Sequence, residues 1–150
     1  MPIPATNRPR LQIAAGILIA YAIAVLTVTL WPTPVDQGFQ PSISRFLGLL
    51  HRHGLPIWFG YNKLEFGANI AMFVPAGFLV AILLPSRRWW LALLMCPAIS
   101  IGIELTQAIF LSARFATIND VIANSLGAAV GVGIYLLAHR TLRRFEVHPN

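Results

Sequence analysis

With 57% apolar and only 11% charged side chains in 150 residues, the chain falls far outside the roughly 25% charged content of soluble domains, which excludes an ordinary water-soluble fold. Its formal charge of +6 would suggest nucleic acid in a soluble protein, but the basic residues sit in short segments between apolar runs, so no nucleic-acid partner is expected. Cys96 is the single cysteine and lies within an apolar run, which leaves no intrachain disulfide framework and no thiolate metal site.

In chain order, the first element is the apolar run Leu11 to Leu30, preceded by Arg8 and Arg10. It is longer than the roughly 7 to 15 residues of a signal-peptide core and exits through Thr29, Leu30, Trp31, Pro32, Thr33 and Pro34 without a small-x-small cleavage pattern, so it reads as a retained anchor. Trp31 marks the outer interface, and Pro32, Pro34 and Pro41 end the helix. Ile43, Phe46, Leu47 and Leu50 then recur at helical spacing. Either a short amphipathic helix capped by Ser42 or Ser44 and ended by Gly54 lies flat on the outer leaflet, or a structured loop packs over the bundle.

Three further runs, Phe66 to Leu84, Trp90 to Leu111 and Ile118 to Ala138, approach or exceed the roughly 20 helical residues that cross a hydrocarbon core of about 30 Å. Only Pro85, Ser86, Arg87 and Arg88 join the second and third, which must form a tight antiparallel hairpin with Trp89 and Trp90 at its interface. Pro75 and Pro97 remove backbone donors inside these spans and should bend them. The expected fold is all-α, one domain over residues 1–150 built as an integral membrane bundle of four transmembrane helices. Seven Lys/Arg (Arg8, Arg10, Arg87, Arg88, Arg140, Arg143, Arg144) then share one side against four (Arg45, Arg52, Lys63, Arg114) on the other. The positive-inside rule makes the richer side cytoplasmic, with both termini there, as in a multi-pass protein of a bacterial cytoplasmic membrane.

Against this apolar background the polar residues stand out, since a charged side chain at membrane depth costs about 2.5 to 3.5 kcal/mol on insertion scales. Ser100, Glu104 and Gln107 line one face of the third span, and Asp120, Asn124, Gly127 and Gly131 one face of the fourth. Gly127 and Gly131 form a GxxxG pattern that lets backbones approach until side chains above it meet across the interface, and such small-residue faces also suit a homo-oligomer. At about 1.5 Å rise per residue, Glu104 and Asn124 lie at similar depth below the outer end, where Asn69 starts the second span beneath Lys63 and Glu65.

The stretch Ser100-x3-Glu104-x2-Gln107-x6-Arg114-x5-Asp120-x3-Asn124-x2-Gly127-x3-Gly131 resembles the pattern of the VanZ-like family of bacterial membrane proteins, and Asn69-x3-Phe73-x-Pro75-x-Gly77 resembles its preceding motif. The resemblance is strongest over residues 62–137; family members often carry an acidic residue where this chain has Thr117 or Asn119. The family takes its name from a determinant of resistance to teicoplanin-type glycopeptides, which implies a link to envelope lipids or antibiotics.

Asn69, Glu104, Gln107, Arg114, Asp120 and Asn124 are therefore the expected ligand-binding residues, with Glu104 and Asp120 the candidates for any catalytic acid or base work. Glu104 can pair with Arg114, donate to Asn124 as the neutral acid, or exchange a proton with a substrate. Asp120 can hold Arg114 in an ion pair, or Arg114 with Lys63 can grip a phosphate or carboxylate. The bland alternative is that these groups only fasten helices together. No cofactor and no metal are expected; His51 and His53, two apart, share no helical face. Three functions follow. The first is an outward pocket for an amphiphile, whether a membrane lipid, a lipid-linked envelope precursor or a lipoglycopeptide. The second is an enzyme on a lipid-linked substrate, for which no nucleophile elbow, phosphate loop or zinc motif speaks. The third is a transporter, for which four spans are few.

Overall fold

The structure, a computed structural model, describes residues 8–34, 36–111 and 117–147. Its helices are α1 (Arg8–Thr29), α2 (Gln40–Arg52), α3 (Tyr61–Leu83), α4 (Ala92–Phe110) and α5 (Ile118–Val147), with 3-10 turns at Gln37–Phe39 and Trp89–Leu91 leading into α2 and α4. No strand occurs among the described residues. Four helices, α1, α3, α4 with its leading turn, and α5, are long and apolar enough to cross a membrane, so the chain is an all-α multi-pass membrane protein. Their outward faces carry Ile, Leu and Val, as at Ile17, Ile101, Leu105, Ile122 and Val130, where an apolar solvent removes the penalty that water would impose.

The expected spans hold with two shifts: the fourth helix runs past Ala138 to Val147, and the second begins at Tyr61 rather than Phe66, which places Asn69 about two turns inside α3 rather than at its start. Pro75 and Pro97 both lie inside continuous helices. Residues 40–52 take the amphipathic-helix alternative. Neither Ser42 nor Ser44 caps it; Pro41 occupies the first turn, where a missing N–H costs nothing. Gly54 ends it at φ 100°, a left-handed conformation that a Cβ disfavours. Gly54→Ala is therefore expected to cost about 1 kcal/mol, read as faster amide exchange confined to α2 with the spanning helices unchanged.

The bundle is organised around α3 and α5, with α1 packed on α3 and α4 on α5. Glycines explain the central pairing. A Cβ at Gly127 would collide with the Ile70 carbonyl oxygen, one at Gly131 with that of Val74, and one at Gly77 with that of Ala128. The small-residue face of α5 is thus pressed onto α3, not onto α4 as its spacing beside the Glu104 stripe suggested: Gly77 of α3 lies against Ala128, whereas a Cβ at Gly102 of α4 would meet nothing within 4 Å. Phe73, Val80, Ala81, Cys96, Ile103, Ala128 and Val132 fill the dry centre; Cys96 is packing. The Tyr21 hydroxyl of α1 donates to the Met72 carbonyl of α3, one turn before Pro75.

Candidate functional site

The polar residues collect at the end of the bundle that carries α2 and the α4–α5 connection. Helix α5 starts there on Thr117, whose Oγ1 accepts the Asp120 N–H at 3.2 Å and donates to Asp120 Oδ2 at 2.8 Å. This is a capping box with one partner changed: the N–H of Thr117, which the N3 side chain would ordinarily bind, goes instead to Glu104 Oε2 on α4 at 2.8 Å. A carboxylate from one membrane helix thereby fixes where the next one begins. Asp120, in the first turn of α5, also complements the positive end of the helix dipole.

The remaining bonds stitch the other helices to this point. Asn69 Nδ2 on α3 donates to Asp120 Oδ1 at 2.6 Å. Asn124 Nδ2 donates to Ser100 Oγ at 2.8 Å, joining α5 to α4 where both side chains are buried. Gln107 Nε2 reaches the Thr29 carbonyl at 2.8 Å, satisfying an acceptor that the end of α1 leaves without a helical partner. Gln107 therefore ties α4 to α1, although its register with Glu104 pointed to α5. Asn124 Nδ2 pairs with Ser100, while Glu104 accepts the Thr117 N–H; a Glu104-to-Asn124 bond, one of the three roles open to Glu104 in the sequence, is not among the described hydrogen bonds.

These residues surround a cavity of about 420 Å³. Asn69, Glu104, Gln107, Asp120 and Asn124, five of the six expected ligand-binding residues, line it; Arg114 lies outside the described residues. Its expected pairing with Asp120, and its fork with Lys63, lie outside with it, while Lys63 itself is exposed in the first turn of α3. Glu65, which the sequence set above Asn69, lines it too, but sequence reasoning missed other polar wall residues: Asp36, Gln37 and Gln40 from the segment entering α2, and Tyr61 and Thr117 at the starts of α3 and α5. Asp36 Oδ2 accepts the Tyr61 hydroxyl and Gln40 Nε2, the latter at 3.0 Å, which holds the first loop over the cavity. The Thr-x-x-Asp spacing of Thr117 and Asp120 was a readable signal; the Asp36–Tyr61 pair, 25 residues apart, had none.

The histidines serve α2 and its exit. His51 Nε2 lies 3.0 Å from the Phe59 carbonyl and His53 Nδ1 lies 2.9 Å from that of Leu49. At the cavity, by contrast, one acceptor is left over. Asn124 is 4% exposed, and its Oδ1 has no hydrogen-bond partner among the described residues. Such an orphan costs about 1–3 kcal/mol, so it marks a place where structure is not the whole account.

A family model described as VanZ/LLP1 matches residues 18–139, a stretch that contains the entire cavity wall and the glycine contacts between α3 and α5. No curated protein and no solved structure matches the chain. With most of its length accounted for by that match, and with four helices able to cross a membrane, the chain belongs to the VanZ/LLP1 family of membrane proteins.

Proposed function

We propose that the cavity receives the polar head of an amphiphile while the acyl chain runs along the apolar outer faces of the spanning helices, and that this binding serves envelope protection. The observation that carries the reading is the cavity itself: a polar hollow of about 420 Å³ in a bundle whose other buried side chains are almost all apolar. Helices that needed only fastening would close their polar groups against one another, because an unfilled polar space among membrane helices forfeits contacts on every wall. A head group that offers donors to Asn124 and Asp120 would fill it. Glycopeptide resistance, from which the family takes its name, fits a ligand drawn from lipids, lipid-linked envelope precursors or lipoglycopeptides.

The distribution of arginine and lysine supports an orientation with both termini in the cytoplasm of a bacterial cell and the cavity opening on the opposite face of the cytoplasmic membrane. Arg114, three residues before Thr117 in the chain, would then grip an anionic part of the head from outside the hydrocarbon region. Native mass spectrometry of the purified protein with retained lipids tests the reading against a folded Arg114→Ala, Glu104→Gln double variant. A discrete lipid or lipid-linked adduct on the wild type, reduced about tenfold in the variant, is expected. Identical, unselective lipid patterns on both would return these residues to the role of helix fasteners.

A further inference from the structure

Helix α2 carries a basic stripe that the polar cavity does not use. Ser42, Arg45, Leu49 and Arg52 recur at spacings of three, four and three, which sets them on one face of the helix. The opposite face turns inward. Leu47 is buried, and Ile43, one turn before it, closes a hollow with Val28 and Thr29 at the end of α1 and Leu64 and Ala68 in the first two turns of α3. Helix α2 therefore lies where two spanning helices leave the hydrocarbon layer, at the depth of lipid head groups.

The outward face holds a groove of about 610 Å³ between Arg45 and Arg52, with Gly48 and Leu49 between them and Ser42 and Phe46 at its edge. It shares no residue with the polar cavity, and no acidic residue among those described lines it. Neither arginine is in an ion pair with a described residue. Seven residues of helical rise set the two Cα atoms about 10 Å apart, a gap that two arginine side chains can close on a single phosphate. Gly48 keeps the space between them low, since even a Cβ there would meet nothing within 4 Å. Water and counterions could satisfy the two charges alone, but not the apolar part of the same surface. Phe46 is 49% and Leu49 52% exposed, and Phe39, Ile57 and Trp58, which flank α2 in the chain, are 62%, 88% and 72% exposed. Basic side chains beside exposed aliphatic and aromatic ones match a lipid, whose phosphate and acyl chains make the two demands together.

We infer that this groove binds an anionic phospholipid of the leaflet in which α2 lies, its phosphate gripped by Arg45 and Arg52 and its acyl chains against Phe46 and Leu49. The site is separate from the polar cavity and does not depend on what that cavity receives. Its selectivity follows from charge. The phosphate of phosphatidylglycerol carries an uncompensated negative charge, whereas the choline ammonium of phosphatidylcholine offsets it, so the first is preferred at identical acyl chains.

The test places the full chain in nanodiscs holding phosphatidylglycerol and phosphatidylcholine in equal amounts and reads retained adducts by native mass spectrometry. The expected result is phosphatidylglycerol retained about tenfold over phosphatidylcholine, falling toward parity in Arg45→Gln, Arg52→Gln. Both arginines are exposed, so the fold does not depend on them, and a thermal melt checks this. Gly48→Glu should have the same effect with both arginines kept, because it sets a carboxylate between them in open space. Arg87→Gln, Arg88→Gln removes equal charge from the turn between α3 and α4 and should keep most of the preference. Amide exchange in α2 should be slower in phosphatidylglycerol discs than in phosphatidylcholine discs for the wild type and for this control alone. Equal losses in the two arginine pairs would reduce the preference to net charge and overturn the site, as would a preference that neither change in α2 moves. A dimer that the α2 variants dissolve, without any lipid preference, would overturn the lipid and give this face to a second copy of the chain.

Discussion

Substituting valine for Gly127 or Gly131 is expected to destabilise the bundle by about 3 kcal/mol, the upper part of the range for overpacking, and to lower the yield of folded protein from membranes. The obstruction is backbone. Carbonyl oxygens of Ile70 and Val74 on α3 stand where the first added carbon would go, and neither can rotate away as the tip of a side chain can. Relief would require α3 and α5 to separate along their contact, which would also pull Asn69 from Asp120 and open the cavity wall. Gly133 supplies the control, because a Cβ there meets nothing within 4 Å. Gly133→Val should change stability by less than about 1 kcal/mol. Thermal or steric-trapping denaturation of the three variants reads the comparison, and equal effects at all three positions would show that α3 and α5 do not pack by this face.

The second large effect concerns Glu104, where the two natural replacements separate shape from charge. Glu104→Leu strips the acceptor from the Thr117 N–H and is expected to cost about 1–3 kcal/mol while loosening the start of α5. Glu104→Gln keeps a carbonyl oxygen for that bond and should cost less than about 1 kcal/mol. Amide exchange of the first turn of α5 distinguishes them, being faster in the leucine variant and near wild type in the glutamine variant. Loss of ligand retention in the folded glutamine variant would then trace to the missing charge or exchangeable proton. If both variants exchange like the wild type, Thr117 does not depend on Glu104 for its anchorage.

The same residue shows how a structural and a ligand-binding role can coincide. Glu104 sets the beginning of α5 through one oxygen while its side chain borders the cavity. A substitution that fails both in folding and in binding therefore says little about either, which is why the near-isosteric glutamine is the informative change. Asp120 behaves alike: one oxygen accepts Asn69 and the other Thr117, so its removal would release α3 and the cap of α5 together.

The sequence by itself determined the four membrane-spanning helices, because the length of an apolar run needs no partner to be read: about 20 residues suffice to satisfy every backbone group within the hydrocarbon layer. It also determined that Glu104, Gln107, Asp120 and Asn124 belong to one end of the bundle, since helical rise and the three-and-four spacing are local geometry. Which helices those faces meet was settled only by tertiary structure. A GxxxG pattern marks a close approach without naming its partner, and α3 became that partner because Gly77 answers it while Phe73 and Val80 fill the space around it. Asp36 and Tyr61 reached the cavity only when the 31–60 segment folded back over the bundle, a placement decided by contacts between residues far apart in the chain. The concentration of four acids around one hollow in a basic protein is likewise invisible in composition, which counts charges but does not place them.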